Sequence, residues 1–426
     1  METTKNTRMY FGRPGSVYGL VSLISMLFLT VYQVIMSYTV LSNDSENFTE
    51  LLIYFASYII AEWIYYFVFA IVQNRHVSLE MIAFALSSVS LYITASISPE
   101  KTQTQFIAIL LGLAMFIAMV FFMRSTTRTG AMRMPMAVAA IGLLGLTLIL
   151  ADYTNGAKNW IYIGSASIQP SEFVKLAFIY VGAATLDKIQ SSKSLTAYVI
   201  FSVACVGLLG LMSDFGTALI YFATFLLIAF LRSGDIRTIV LVCTAAVIGL
   251  IIIITMRSYI LQRFESYRHI WEHMNDSGGY QQTRTLIYSA SGGFFGVGIG
   301  NGYLRNIFAA AEDLVFGVVC EEMGMLTGFV IAFSLALMSF ATAYNAKFAR
   351  STFFTIAACA SAGMIIVQMS LNIFGITDFL PLTGVTLPFV SRGGSSMICS
   401  WGLLAFMKAA DSRTYPELGS HGGSLR

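Results

Sequence analysis

The sequence predicts an all-α polytopic membrane protein of about twelve transmembrane helices. Three observations predict it: the composition, the spacing of long apolar runs, and the alternation of basic residues between them. Hydrophobic residues make up 57% of the 426 and charged residues 11%, with a mean hydropathy of +0.74. Soluble domains carry about 25% charge, and so few charges could not cover the apolar surface of a soluble fold. A soluble enzyme, a disordered chain and a secreted disulfide scaffold are excluded. The net charge of +3, from 25 Lys and Arg against 22 Asp and Glu, is too small to argue for nucleic acid as a partner. The cysteines (Cys205, Cys243, Cys320, Cys359 and Cys399) lie in or beside apolar runs without metal spacing, so they read as small buried residues.

A hydrocarbon core takes roughly 20 apolar residues per helix. The first run, 17–41, follows a polar leader and is too long for a cleaved signal, so it reads as a permanent anchor. Further runs follow at 51–73, 80–98, 105–123, 134–151, 171–187, 195–212, 215–231 and 238–256, then at 314–343, 352–376 and 394–410. With the N-terminus inside, sixteen of the 25 Lys and Arg fall on inside segments. Basic residues favour the cytoplasmic side of short loops, so both termini are expected there. The long segment 257–312 then lies outside. It is too long for a simple connector, and its aromatic, Arg, Gln and Gly content suggests short helices folded along the outer face.

Five segments carry more than hydropathy. NWIYIGSASIQPSEFVKLAF (159–178) has Pro170 and Glu172 where a helix start would place them. Lys175 shares a helix face with Glu172, and charge inside a span usually faces a cavity, so a capped start and a functional site both remain open. In SDFGTAL, Asp214 reads as a helix N-cap. GGFFGVGIG (292–300) lacks the preceding strand that a nucleotide-binding glycine string needs, and reads as close backbone packing. In AAAEDLVFGVVCEEMG (309–324), Glu312 and Asp313 stand where a span begins, as caps or as a carboxylate site. Glu321 and Glu322 lie deeper in that span, where adjacent acids must be neutralised, paired or wet, and a carboxylate at the outer mouth with these acids beneath it is a candidate for proton chemistry. NIFGITDFLPLTGVTLPFVSRGGSS (372–396) is broken by Pro381, Gly384, Pro388, Gly393 and Gly394 and reads as a re-entrant loop.

Taken in order, WIYIGSASIQPSEFVK, SDFGTAL, GGYQQTRTLIYSASGGFFGVGIG, EDLVFGVVCEEMG and LPLTGVTLPFVSRGGSS resemble the SEDS family (shape, elongation, division and sporulation), which includes FtsW, RodA and SpoVE. The resemblance implies a ten-helix core over 77–410, preceded by a cytoplasmic N-terminus and two additional helices in 1–76, and followed by a cytoplasmic tail at 411–426. It implies a peptidoglycan glycosyltransferase of the bacterial plasma membrane, acting on lipid II at the outer face. A class B penicillin-binding protein and membrane lipids are the implied partners. The family's essential Asp carries over to Asp313. Its QPSE segment carries over to Gln169, Ser171, Glu172 and Lys175, and its Tyr-Gln pair to Tyr280 and Gln281. Two positions depart from the family pattern, with Glu312 in place of Thr and Arg392 in place of Tyr.

The implied reaction joins an acceptor sugar's 4-hydroxyl to the anomeric carbon of a lipid-diphosphate donor, with inversion. Diphosphate leaves readily, so one base and positive charge are a sufficient set. Asp313 would be the base. Lys175, Arg263, Arg268 and Arg392 are candidate contacts to diphosphate or a sugar carboxylate. Glu172 would orient Lys175, and Asp214 would hold outer helix ends. No cofactor is required, although a divalent cation (Mg or Mn) would assist at the diphosphate, with no ligand set legible. Two competing classes are a lipid-precursor flippase and a noncatalytic scaffold for the crosslinking partner. Acids within spans suit a carrier, but the motifs gather on one membrane face.

Overall fold

Backbone buried in hydrocarbon must satisfy its own hydrogen bonds, and the apolar runs do so as helices. The computed structural model describes residues 17–43, 46–72, 76–123, 131–154, 156–164, 166–187, 192–233, 240, 244, 267–275 and 279–410. Its first helices are α1 (Val17–Asn43), α2 (Phe48–Tyr66, continued by a π-helical turn at Phe67–Val72), α3 (Ser78–Ile97), α4 (Thr102–Phe122) and α5 (Arg133–Leu150). A two-stranded antiparallel hairpin follows, β1 (Ile161–Ile163) and β2 (Ala166–Ile168). Then come α6 (Pro170–Asp187), α7 (Ser192–Leu211), α8 (Phe215–Ser233), α9 (Tyr280–Ser291), α10 (Val315–Glu322), α11 (Met325–Asn345), α12 (Thr352–Ile376) and α13 (Gly394–Ala409).

Among the described residues, eight helices are long and apolar enough to cross a membrane: α1 to α5, α8, α11 and α12. The runs at 171–187, 195–212 and 394–410 also form helices, α6, α7 and α13. The expected span 238–256 lies almost wholly outside the described residues. The molecule is a multi-pass helical membrane protein, and its core centres on the buried helices α3, α6, α12 and α13. There Trp401 is fully buried and takes Phe84, Phe116 and Phe389 nearly edge-on, at 5.0, 5.9 and 6.0 Å between ring centroids. At the far end of α13, Lys408 and Glu80 form a buried ion pair at 3.0 Å, and Tyr65 donates to the same carboxylate at 3.1 Å.

Helices α1 and α2 meet each other and α3 through polar contacts in an otherwise apolar seam. Gln33 donates to Glu62 at 2.7 Å, and the Tyr92 hydroxyl of α3 donates to the Gln33 carbonyl at 3.1 Å. At the other end of α1, Asn43 donates to the Ile299 carbonyl at 2.5 Å.

The run 314–343, expected as one span, is two helices. α10 ends at Glu322 and α11 restarts at Met325. Gly324 has φ +90°, and a Cβ there would strike the Phe294 carbonyl, so glycine is required at the break. The glycine-rich loop after α9 supplies the lost partners. Val297 and Gly298 donate to the Glu321 and Glu322 carbonyls, at 2.9 and 3.0 Å, and Met325 donates to Gly293 at 2.9 Å. This is the close backbone packing expected of GGFFGVGIG.

The acids at the break find the partners that adjacent buried acids require. The Glu321 carboxylate accepts the amides of Tyr303 and Leu304, at 2.7 and 2.9 Å. Glu322 accepts the Gly300 amide at 3.0 Å and the Ser96 hydroxyl at 3.2 Å. Amide donors to an ionised carboxylate are among the stronger hydrogen bonds. Replacing Glu321 with Ala leaves two amides without their acceptor, at about 1–3 kcal/mol each. Glu321→Ala is expected to lower the thermal midpoint in detergent and to raise hydrogen exchange at 300–304, with exchange at α12 unchanged.

Candidate functional site

Three segments meet at one end of the bundle. The first is the entry to α6, where Pro170 occupies the first helical position with its fixed φ. Just before it, the Gln169 amide donates to Ser395 Oγ of α13 at 3.0 Å. Its side chain donates to Asp214 Oδ2 at 3.4 Å, beside Asn159 at 3.3 Å. Asp214 Oδ1 accepts the Thr217 amide at 3.2 Å, so Asp214 caps α8 and ties the hairpin stalk to it.

The second segment is the irregular stretch 380–392 between α12 and α13. It lies over the start of α8, where a Cβ at Gly216 would be 2.8 Å from Val385 Cγ2. The Thr386 and Ser396 hydroxyls bond at 2.7 Å, and the amide of Gly393 donates to Gln105 Oε1 of α4 at 3.2 Å.

The third is the turn 309–313, pinned by the amides of Glu312, Asp313 and Leu314 on the Ala309 carbonyl at 3.2, 3.0 and 3.2 Å. Asn372 of α12 staples it to the second segment, donating to the carbonyls of Asp313 at 2.8 Å and Val385 at 2.7 Å. Gly384, at φ +67°, faces the Asp313 carboxylate, and a Cβ there would stand 3.3 Å from Oδ2. The strip opposite the carboxylate is thus kept bare. Glu312 accepts from Arg392 Nε at 2.9 Å and also from Nη2. Arg392 Nη1 is buried without a hydrogen-bond partner among the described residues. The two departures from the resembled pattern touch each other.

The remaining expected residues are placed as follows. Lys175 and Glu172 form an ion pair at 2.6 Å in which Lys175 is only 1% exposed. Ser171 is buried, and its carbonyl accepts Tyr221 Oη at 2.7 Å. Tyr280 is exposed, with the Arg284 guanidinium over its ring at 5.3 Å. Gln281 donates to the Phe308 carbonyl at 2.9 Å and so braces the turn that leads to Asp313. The Arg268 amide donates to Asp378 at 3.1 Å. Arg263 lies outside the described residues. Gln169 and Asp214 come together, Asp313 and Arg392 share the clamped segments, and Glu172 and Lys175 engage each other.

Asn372, Gln105, Asn159, Ser395 and Ser396 hold these pieces in place and were not singled out from sequence. Asn372 carried a signal, an amide inside an apolar run, where a polar group must find an internal partner. The serines carried none. Among the described residues no three His, Cys, Asp or Glu side chains converge as a metal cage, and no step below is routed through a cation. The arrangement presents one carboxylate beside bare backbone, with a guanidinium anchored on the adjacent residue.

The chain matches the FtsW/RodA/SpoVE cell cycle protein family over residues 81–415. It is 31% identical over 340 residues to the probable peptidoglycan glycosyltransferase FtsW of Bacillus subtilis, covering 74% of this chain and 83% of that protein. A chain from a structure titled for the coordination of polymerization and crosslinking by a peptidoglycan synthase complex superposes with TM-score 0.65 at 21% identity. That match covers 80% of this chain and 99% of that one. The rod shape determining protein RodA of Thermus thermophilus superposes with TM-score 0.59 at 23% identity, over 78% and 95% of the two chains. At these identities the two structures establish a shared fold.

The buried pair on α6 leads to a stability prediction. Lys175→Met strands the Glu172 carboxylate and is expected to cost about 3–5 kcal/mol. Adding Glu172→Leu is expected to recover most of it. Thermal unfolding of both variants in detergent checks the difference.

Proposed function

The chain belongs to the FtsW/RodA/SpoVE family, and from that premise we propose that it is a peptidoglycan glycosyltransferase polymerising lipid II into glycan strands. The single observation that carries the assignment to a site is the setting of Asp313. It is half-buried, held by Asn372 through its own carbonyl, and faced by Gly384.

In this reading Asp313 accepts the proton of the acceptor sugar's 4-hydroxyl as that oxygen bonds the donor's anomeric carbon. The bond from that carbon to the diphosphate oxygen breaks, and the lipid diphosphate leaves with the electron pair. Attack from the opposite side inverts the centre. No protein acid is needed because the leaving group is already stable as an anion. Positive charge beside the departing diphosphate lowers the barrier. Arg392 is the proposed source of that charge, through Nη1, which has no hydrogen-bond partner among the described residues. Lys175 is sealed against Glu172, so it acts by holding the start of α6, and Gln169, Ser171 and Asp214 shape the neighbouring wall. Tyr280 and Gln281 line the approach from α9, with Arg263 assigned here from its sequence position alone.

The proposal places the site on the outer face of the bacterial plasma membrane, with both termini cytoplasmic. The basic inside loops support it. It treats 77–410 as the catalytic core and the two helices before it as an added unit. A class B penicillin-binding protein is the proposed partner, supported by the fold shared with a chain of a peptidoglycan synthase complex.

The test is glycan-chain formation from purified lipid II, with and without a crosslinking partner and with a divalent cation present. The parent protein is expected to make polymer. Asp313→Asn is expected to fold and to lose activity by at least about 100-fold. Polymer from Asp313→Asn at the parent rate removes Asp313 as base. Absence of polymer from both, with lipid II moved between leaflets, establishes the flippase reading instead.

A further inference from the structure

We infer that Glu312 is a positioning residue, which orients the Arg392 guanidinium beside the turn that carries Asp313. The inference rests on the polymerase reading for its consequence and on geometry alone for its mechanism.

The turn 309–313 and the stretch 387–392 are joined three times within a few residues. The Arg392 amide donates to the Ala311 carbonyl at 2.8 Å, and Ser391 Oγ donates to the Glu312 carbonyl. Within its own stretch Ser391 Oγ also accepts the Leu387 amide at 2.8 Å. The third link is the side-chain pair, in which two nitrogens of the Arg392 fork meet Glu312 Oε1. Asn372 then ties Asp313 to Val385. Asp313 and Gly384 face each other just beyond that tie. Their separation is therefore fixed by how the two segments are registered.

The backbone links hold the segments together but leave the guanidinium free to rotate. Pairing with Glu312 removes that freedom, because a planar fork bonded through two nitrogens has its third nitrogen's direction decided. The third is Nη1, the buried nitrogen without a hydrogen-bond partner among the described residues. Glu312 thus aims the positive charge and steadies the residue next to the base. The pair is partly exposed, at 15% for the Arg392 side chain and 34% for Glu312. Such a pair adds little to stability, which leaves direction as its main contribution.

The experiment is a mutant cycle on the full-length protein. Glu312→Ala is expected to lower kcat about 10-fold with KM for lipid II changed by less than about threefold, as misplacement of a reacting group does. Its thermal midpoint is expected to stay within about 2 °C of the parent. Combined with Arg392→Gln, it is expected to be no slower than Arg392→Gln alone, since Glu312 acts through Arg392. Multiplying losses, unchanged kcat, or a large fall in thermal midpoint would each overturn the inference.

A second readout needs no activity. Modification of Arg392 by phenylglyoxal, followed by mass spectrometry, is expected to be several-fold faster in Glu312→Ala than in the parent. Equal rates would show that Glu312 does not hold the guanidinium. If the parent makes no glycan, the polymerase reading fails, and the modification rates alone decide whether Glu312 orients Arg392.

Discussion

Two adjacent carboxylates hold one end of this molecule together. Glu321 and Glu322 collect the amides of Gly300, Tyr303 and Leu304 and the Ser96 hydroxyl. Their own carbonyls take the amides of Val297 and Gly298. A carboxylate at such depth is costly unless several donors reach it, and here the loop provides them. In return the loop is wound against the end of α10. That winding interrupts what would be a continuous span and leaves α10 short, with Asp313 just before its start.

The same economy of polar groups assembles the site from distant parts of the chain. Asn372 is a buried amide in an apolar helix, and its two donated bonds join the turn before α10 to the stretch after α12. Gln105 of α4 accepts from Gly393, and Ser395 of α13 accepts from Gln169. Apolar packing sets the helices side by side, but it is non-directional. These few directional bonds register their ends, and a reacting carboxylate must be placed to within a fraction of an ångström.

The positive charges near the site are not equivalent. Lys175 is spent on Glu172 within the core, whereas Arg392 keeps one nitrogen buried without a hydrogen-bond partner among the described residues. Side chains that look alike in a list of basic candidates thus separate by burial and pairing. The N-terminal pair of helices is linked to the same region. Gln33 bonds Glu62 across that pair, Tyr92 of α3 reaches the Gln33 carbonyl, and Asn43 reaches the loop at Ile299, next to the amide that Glu322 holds.

The sequence by itself determined the class of molecule and most helix positions. Hydropathy acts locally and additively, so a run of apolar residues announces a helix wherever it stands. Pro170 and Asp214 were likewise legible as helix starts, because capping involves only neighbours in the chain. The order of five motifs pointed to the family and to Asp313. Only the tertiary structure decided the break at Gly324, the use of Glu321 and Glu322 as fastenings, and the pairing of Glu312 with Arg392 across 80 residues. Each of these depends on which donors another segment brings to a buried charge, and the partners of a buried charge are set by packing between helices. No local pattern encodes them.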